Sequence, residues 1–233
     1  MNSCKISSFQ SLGTVDGPGV RAVVFMQGCP LRCHCCHNPE TWDIKGGNEI
    51  TSEELLNKIS RCEKYFGTNG GVTFSGGEPL LQAEFLKAFI PQLKERNINV
   101  AIDTSGCILN DTVKDVLSLC DLVLLDCKYT NEEDYQKYTG MSYRAFKEFI
   151  EYLELTNKDT WIRQVIFPGI NDNEDSISAL SYLSKKYNCI KKIELLPFRK
   201  LCTEKYKNEN IVFPFENIPE ASNDDIKRCT SYM

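Results

Sequence analysis

The sequence lacks any apolar run near the ~18 residues that would span a bilayer. Its longest stretches, such as Ala22 to Met26 and Leu122 to Leu125, are far shorter. No membrane partner is expected. Positive charge is not in excess either: Lys plus Arg number 27 against 32 for Asp plus Glu, a net charge of −5. Without a broad basic footprint, nucleic acid is excluded as a partner. The opening residues Met1 to Phe9 carry no apolar h-region, which sets the expectation of a cytoplasmic protein with reduced thiols. Linkers, internal repeats beyond a βα alternation and low-complexity tracts are also missing. A single domain over 1–233 is therefore expected, with a core of about 21–198 and a polar C-terminal extension, 199–233.

Cysteine is abundant by comparison. Twelve occur in 233 residues, below the ~8–10% that marks a disulfide-stapled secreted domain. Cys4, Cys62, Cys107, Cys120, Cys127, Cys189, Cys202 and Cys229 are scattered, as small core or surface residues are. The other four, Cys29, Cys33, Cys35 and Cys36, crowd into one short loop.

Short apolar runs alternate with amphipathic stretches, the pattern of βαβ units and a parallel sheet. Six strands are predicted: Arg21–Gln27, Gly71–Ser75, Ile98–Thr104, Leu122–Lys128, Trp161–Phe167 and Lys192–Phe198. Their Val, Ile and Leu content suits strands covered on both faces. Helices are predicted from Thr51 to about Tyr65, over Gln82–Arg96, and near Asn110–Leu119, Tyr143–Leu155 and Asp172–Tyr187. Six units of about 30 residues fall short of the ~250 that a closed eight-unit barrel takes. The fold class is thus α/β, either an open six-unit barrel or an open doubly wound sheet.

In such folds ligands gather beyond the carboxyl ends of the strands. Every predicted end carries polar or glycine-rich residues: Gly28 to Asn38, Gly76-Gly77-Glu78-Pro79, Asp103-Thr104-Ser105-Gly106, Asp126-Cys127-Lys128, Arg163 within the fifth strand, and Pro197-Phe198-Arg199. One common site is the economical expectation.

Cys29, Cys33 and Cys36 have the spacing C-x3-C-x2-C. Thiolates suit iron–sulfur clusters, and three local ligands leave one iron of a four-iron cubane open. The same segment contains Cys33-x-x-Cys36-His37, the spacing of c-type haem attachment, and Cys with His also builds zinc sites. The haem reading conflicts with the expected compartment, and the zinc reading ignores the glycines and charges at the other strand ends.

The cysteine loop followed by Gly76-Gly77-Glu78-Pro79 resembles the radical S-adenosylmethionine enzymes. Thr14-Val-Asp-Gly-Pro-Gly-Val-Arg21, Cys36-His-Asn-Pro-Glu-Thr-Trp-Asp43, Ser75-Gly-Gly-Glu78, Trp161-Ile-Arg163 and Glu194-Leu-Leu-Pro197 narrow the resemblance to the activating enzymes of glycyl-radical enzymes. Between His37 and Gly77 only Cys62 could add a thiol. The longer activases insert a ferredoxin-like segment there, so the resemblance is to the short, pyruvate formate-lyase type, with a short activase of another glycyl-radical enzyme as the alternative.

This resemblance implies a partial, open (β/α)6 TIM-like barrel of parallel strands with a short C-terminal extension. It implies one [4Fe-4S] cluster on Cys29, Cys33 and Cys36, and S-adenosylmethionine chelated at the open iron. One electron cleaves the sulfonium, and the 5′-deoxyadenosyl radical takes hydrogen from a glycine Cα of the partner. The cofactor contacts expected on this basis are Gly76, Gly77 and Glu78 near the methionine amino group, and Lys128 and Arg163 for its carboxylate. Asp103, Thr104 and Asp126 serve ribose hydroxyls or a monovalent cation near Asp103 and Asp126, and Asn38 and Val165 lie near the adenosyl group. Asp16 is expected where the partner's glycine loop enters. Each has a plainer alternative as a turn, cap or ion-pair residue. Flavodoxin or ferredoxin would be the electron donor, and the protein alone a monomer. Two positions depart from the family pattern: Cys35 replaces an aromatic before the third cysteine, and Arg199 replaces a histidine. A competing class is an iron–sulfur electron carrier or metal-binding module in which Cys35 supplies a fourth ligand.

Overall fold

The computed structural model describes residues 2–233. They form two compact units: one takes in residues up to Pro30, Thr41–Thr104 and Ile108–Leu124, the other Leu31–Glu40, Ser105–Cys107 and Leu125–Met233.

In the first unit, β1 (Ser3–Gly13) is antiparallel to β2 (Arg21–Met26) and to β3 (Asn48–Thr51). From β2 the pairing turns parallel, to β4 (Gly71–Gly76) and then β5 (Asn99–Thr104). The connections are α1 (Ser52–Ser60), α2 (Ala83–Lys94) and α3 (Asp111–Leu119). Thr51 and Glu54 close a capping box that starts α1. On α2 the buried side chains Phe85, Leu86, Phe89, Ile90 and Leu93 recur at helical spacing, and Phe85 and Phe89 stack at 5.2 Å.

The second unit receives the end of β6 (Leu122–Asp126), followed by α4 (Glu132–Thr139) and α5 (Tyr143–Leu155). There β7 (Thr160–Ile166) pairs in parallel with β8 (Ile190–Pro197), with α6 (Glu174–Lys186) between them. Two further helices, α7 (Thr203–Asn208) and α8 (Asn223–Thr230), belong to the C-terminal extension. Phe215 of that extension is buried in an aromatic cluster, 5.2 Å from Phe167 and 5.5 Å from Tyr138 between ring centroids. The extension is therefore part of the unit's core.

The strands hydrogen-bond in the order β3-β1-β2-β4-β5-β6-β7-β8, an open series with β3 and β8 at its ends. The six predicted strands correspond to β2, β4, β5, β6, β7 and β8, and the open, mostly parallel α/β class holds. Not foreseen were β1, β3, α4 and α7. The helix expected to reach Tyr65 stops at Ser60, and a tighter 3-10 turn, Glu63–Tyr65, follows.

Arg21, which the sequence places at a strand start, is completely buried. Its Nε donates to Thr73 Oγ1 at 2.6 Å, and its Nη2 donates to the Val72 carbonyl at 2.8 Å and Asn99 Oδ1 at 2.9 Å. Nη1 reaches the Pro18 carbonyl at 3.2 Å, and Thr73 Oγ1 donates to the Asp16 carbonyl at 2.7 Å. The guanidinium thus ties the Asp16–Gly19 turn to the first residues of three neighbouring strands. Burial lowers its pKa to about 10, with Asp121 and Asp16 opposing that shift. Arg21→Met would leave several buried acceptors unmet. The expected loss is on the order of 3 kcal/mol, read as a lower urea midpoint at unchanged slope.

At the start of α8, the Ser222 hydroxyl and backbone N–H donate to Asp225 Oδ2 at 2.6 and 2.8 Å, and Arg228 donates to Oδ1 at 3.1 Å. These bonds push the Asp225 carboxyl down to about 2. An unfolded Asp titrates near ~3.9, so the cap stabilises fully above that pH and its contribution disappears as pH falls toward 2. Accordingly, the stability difference between the protein and Asp225→Asn should shrink through that window in acid-unfolding measurements.

Candidate active site

In the first unit the site begins where β2 and β4 end. Gly77 N–H donates to the Met26 carbonyl at 3.0 Å, Glu78 N–H to the Gly28 carbonyl at 2.8 Å, and Gly28 N–H to the Thr41 carbonyl at 2.8 Å. The residue before Cys29 is therefore held from both sides by backbone. Gly76 has φ +101°, and a Cβ on Gly77 would lie 2.2 Å from the Gly28 carbonyl oxygen. Both positions require glycine, one for conformation and one for close approach.

Glu78 is 1% exposed. Its Oε1 accepts from the Thr104 hydroxyl at 2.7 Å and from Leu80 N–H at 3.2 Å, which caps the turn Pro79–Gln82. Asp103 Oδ2 accepts from the Ser75 hydroxyl at 2.6 Å. Gly76, Gly77, Glu78 and Thr104 are thus brought together, with Asp103 and Ser75 as an adjacent pair. Asp16 lies elsewhere in this unit, before the amino end of β2, while the cysteine loop follows the carboxyl end.

In the second unit the rest of the cysteine loop is fixed by α4. Arg32 N–H donates to the Thr139 carbonyl at 3.0 Å and His34 N–H to the Tyr138 carbonyl at 2.9 Å, and Cys36 N–H closes a turn onto the Cys33 carbonyl at 3.1 Å. The His34 ring meets Tyr138 and Phe215 edge-on at 5.5 and 5.7 Å. Cys33 is buried, and Cys35 and Cys36 are half-buried.

A small cavity beside this loop is lined by Cys35, Asp126, Cys127, Lys128, Tyr129, Thr139, Arg163, Val165 and Phe167. Lys128 Nζ lies 2.6 Å from Asp126 Oδ2, and Arg163 Nε lies 3.8 Å from Oδ1. Burial works against charge on Asp126, yet Lys128 and Arg163 outweigh it and hold the carboxyl below its usual range. Burial likewise works against the Lys128 ammonium, but Asp126 and the neighbouring sulfurs of Cys33 and Cys35 keep its pKa well above normal. The unit therefore keeps a cationic face on the cavity, although Asp126 and Lys128 are partly buried.

Burial pushes the Cys33 and Cys35 thiols up strongly, against the pull of Lys128. Enclosed thiols of this kind ionise when a metal centre compensates their charge, and soft sulfur donors suit iron. The donor set fits a cluster. Among the described residues no three His, Cys, Asp or Glu side chains converge as ligands of a single ion; a cubane draws each sulfur to a different iron.

Asn38 and Arg199 meet the C-terminal extension. Asn38 Oδ1 accepts from Lys205 Nζ at 2.7 Å. The Arg199 guanidinium donates to the Ala221 carbonyl, and its own carbonyl lies 2.9 Å from His37 Nε2. Sequence reasoning missed Ser75, Tyr129, Thr139 and Lys205. Ser75 borders the Gly-Gly-Glu signal and could have been included, whereas nothing near Lys205 in the chain distinguishes it from other surface lysines.

The chain matches the family described as a 4Fe-4S single cluster domain over residues 15–149. It is 42% identical over 230 residues to a pyruvate formate-lyase-activating enzyme of Clostridium pasteurianum, covering 98% of this chain and 96% of that one. To the pyruvate formate-lyase 1-activating enzyme of Escherichia coli K12 it is 37% identical over 232 residues, covering 98% and 94%. Among solved structures, a domain of pyruvate-formate lyase-activating enzyme from Bacteroides vulgatus matches with TM-score 0.58 and 24% identity, over 70% of this chain and 92% of that one. Streptococcus suis SuiB bound to S-adenosylmethionine matches with TM-score 0.63 and 16% identity, over 88% and 44%. These structural likenesses concern the fold.

The Gly77 contact has a direct consequence. Gly77→Ala should destabilise the protein by about 1–3 kcal/mol, because its methyl group meets a backbone oxygen that cannot rotate away. Thermal unfolding would check this, and an unchanged midpoint would show that the loop has room for a side chain.

Proposed function

The chain belongs to the family of pyruvate formate-lyase activating enzymes, and we infer that it activates a glycyl-radical enzyme, with pyruvate formate-lyase as that substrate protein. The observation that carries this reading is the likeness to activases along 98% of the chain. A [4Fe-4S] cluster and S-adenosylmethionine, held by the residues named below, would together supply the one-electron radical chemistry that removes hydrogen from a glycine Cα of the partner.

This chain's residues bind, orient and enclose. Cys29, Cys33 and Cys36 would hold the cluster through three thiolates, which leaves a coordination position open for S-adenosylmethionine. The backbone at Gly76 and Gly77 and the buried Glu78 receive the ammonium, with Thr104 keeping the carboxylate of Glu78 in place. Lys128 and Arg163 receive the methionine carboxylate, which would be costly to enclose unpaired. Asp126 holds those two cations in place, and Asp103 takes ribose hydroxyls. Val165 and Asn38 border the adenosyl group, and Asp16 meets the partner's glycine loop. Arg199 contributes through its carbonyl to His37. The chain works as one catalytic domain, with 199–233 as its extension. Among the described residues no helix is long and apolar enough to cross a membrane. The reading places the enzyme in the cytoplasm, with a flavodoxin or ferredoxin as its electron donor.

Cys35 lines the cavity with Lys128, so a fourth-ligand role for it is the alternative to exclude. Anaerobically reconstituted, reduced protein given S-adenosylmethionine should yield 5′-deoxyadenosine, and with pyruvate formate-lyase present an electron paramagnetic resonance signal of a glycyl radical. Cys33→Ala should abolish both, while Cys35→Ala keeps its iron and its cleavage. Cluster loss in Cys35→Ala, or undiminished cleavage in Cys33→Ala, would overturn the three-ligand assignment. Cleavage without a glycyl radical would overturn the choice of partner.

A further inference from the structure

Tyr129 follows the strand end Asp126-Cys127-Lys128 and is 2% exposed. Its ring packs against two others, stacked on Tyr138 at 5.0 Å and on Phe167 at 6.1 Å between centroids. Its backbone is tied as well, because the Cys127 thiol donates to the Tyr129 carbonyl at 3.3 Å. The hydroxyl of this clamped ring is buried and has no hydrogen-bond partner among the described residues. Enclosing a hydroxyl without a partner is costly, and a clamped ring cannot swing out to find one in solvent.

Tyr129 lines the cavity beside the cysteine loop together with Cys35, Lys128 and Arg163. Burial pushes its hydroxyl pKa up strongly, and the sulfurs of Cys35 and then Cys33 push it further, ahead of Tyr138 and Lys128. Coulombic effects fade with distance, so the hydroxyl end of the ring is the end that faces those sulfurs. Lys128, which feels the same two sulfurs, is committed to Asp126 Oδ2 at 2.6 Å. A neutral thiol is a weak acceptor, whereas a sulfur that carries the negative charge of a cluster is a strong one.

We propose that the Tyr129 hydroxyl donates a hydrogen bond to a cluster sulfur on the Cys33 side and thereby raises the reduction potential of the cluster. This rests on the proposed function, in which Cys33 is one of the three cluster thiolates. Reduction adds negative charge to the sulfurs, so a donor aimed at them favours the reduced state. The phenol keeps its proton throughout, because burial and the sulfurs both oppose its ionisation.

The test reads the cluster rather than turnover. Cluster-loaded protein without S-adenosylmethionine is poised at the wild-type midpoint potential, and the reduced cluster is counted by electron paramagnetic resonance alongside iron content. Tyr129→Phe keeps the stacked ring and removes only the donor. The ratio of reduced to oxidised cluster should fall about tenfold, equivalent to ~59 mV for a one-electron couple, with iron content unchanged. Tyr138→Phe removes the hydroxyl of the neighbouring ring, which bonds to Lys137, and should leave the ratio within about twofold of wild type. Substituting 3-fluorotyrosine for Tyr129 gives a stronger donor of nearly the same shape, and should shift the ratio the opposite way from Tyr129→Phe.

A wild-type ratio in Tyr129→Phe would overturn the proposal, and weaker S-adenosylmethionine binding with that unchanged ratio would give the hydroxyl to the ligand instead. An equal shift in Tyr138→Phe would also overturn it, by assigning the effect to the ring stack. So would loss of iron in Tyr129→Phe, because the hydroxyl would then serve cluster assembly. Wild-type protein that gives no reducible four-iron signal would sink the proposed function itself, and with it this inference; that failure shows before any substitution is made.

Discussion

A backbone carbonyl, rather than a side chain, decides where the cysteine loop begins. The Gly28 oxygen accepts from Glu78 N–H at 2.8 Å and sits where a Cβ of Gly77 would be, 2.2 Å away. Because a side chain at position 77 would force the two segments apart, the residue before Cys29 and the buried carboxylate of Glu78 are set by one contact. Parallel pairing of β2 with β4, in register from Arg21 with Gly71 to Met26 with Gly76, brings those backbones to that point. At the other end of the same strands, the buried Arg21 guanidinium fixes the register by satisfying carbonyls of several segments at once. Strand pairing, the glycine pair and a buried cation thus act in series on the placement of one loop.

The second unit meets a different constraint, the cost of enclosing charge. Thiols as buried as Cys33 resist ionisation, and an isolated carboxylate such as Asp126 would do the same. Lys128 lies between these needs: it pairs with Asp126 at 2.6 Å and draws the neighbouring sulfurs toward their charged form. The arrangement suits a cluster, whose iron supplies positive charge, and the two cations flanking the single carboxylate of Asp126 leave positive charge for an anionic group. A site of apolar residues with the same shape would accept neither.

The parallel strands were legible because strands covered on both faces read as continuous apolar runs, and Leu122–Leu125 and Ala22–Met26 are such runs. The strand β1 was not: only Cys4, Ile6 and Gly13 are buried along it, and Ser8 and Gln10 to Leu12 face solvent, so neither a run nor a strict alternation appears. The helix α4 has a polar composition that hides it, although its N-cap Asn131 and the left-handed Gly140 at its end are ordinary signals. Of the site, the residues at strand ends were readable from type and spacing. Partners distant in the chain were not, since no local pattern links Lys205 to Asn38 across 167 positions. Arg21 was visible as a motif residue, but nothing local marks a strand-start arginine as buried.

Position 199 departs from the family's pattern in its side chain, yet its backbone still contacts the cysteine loop. What this residue gives to the cysteine loop is its backbone carbonyl, 2.9 Å from His37 Nε2, and any residue type supplies that. Its guanidinium turns instead to the Ala221 carbonyl, at the edge of the segment that leads into α8. The side chain has thus become a fastener of the extension, while the backbone continues to hold the residue next to Cys36. Cys35 is a different case, because its side chain does face the cavity, and a small polarisable sulfur there leaves more room than an aromatic ring would.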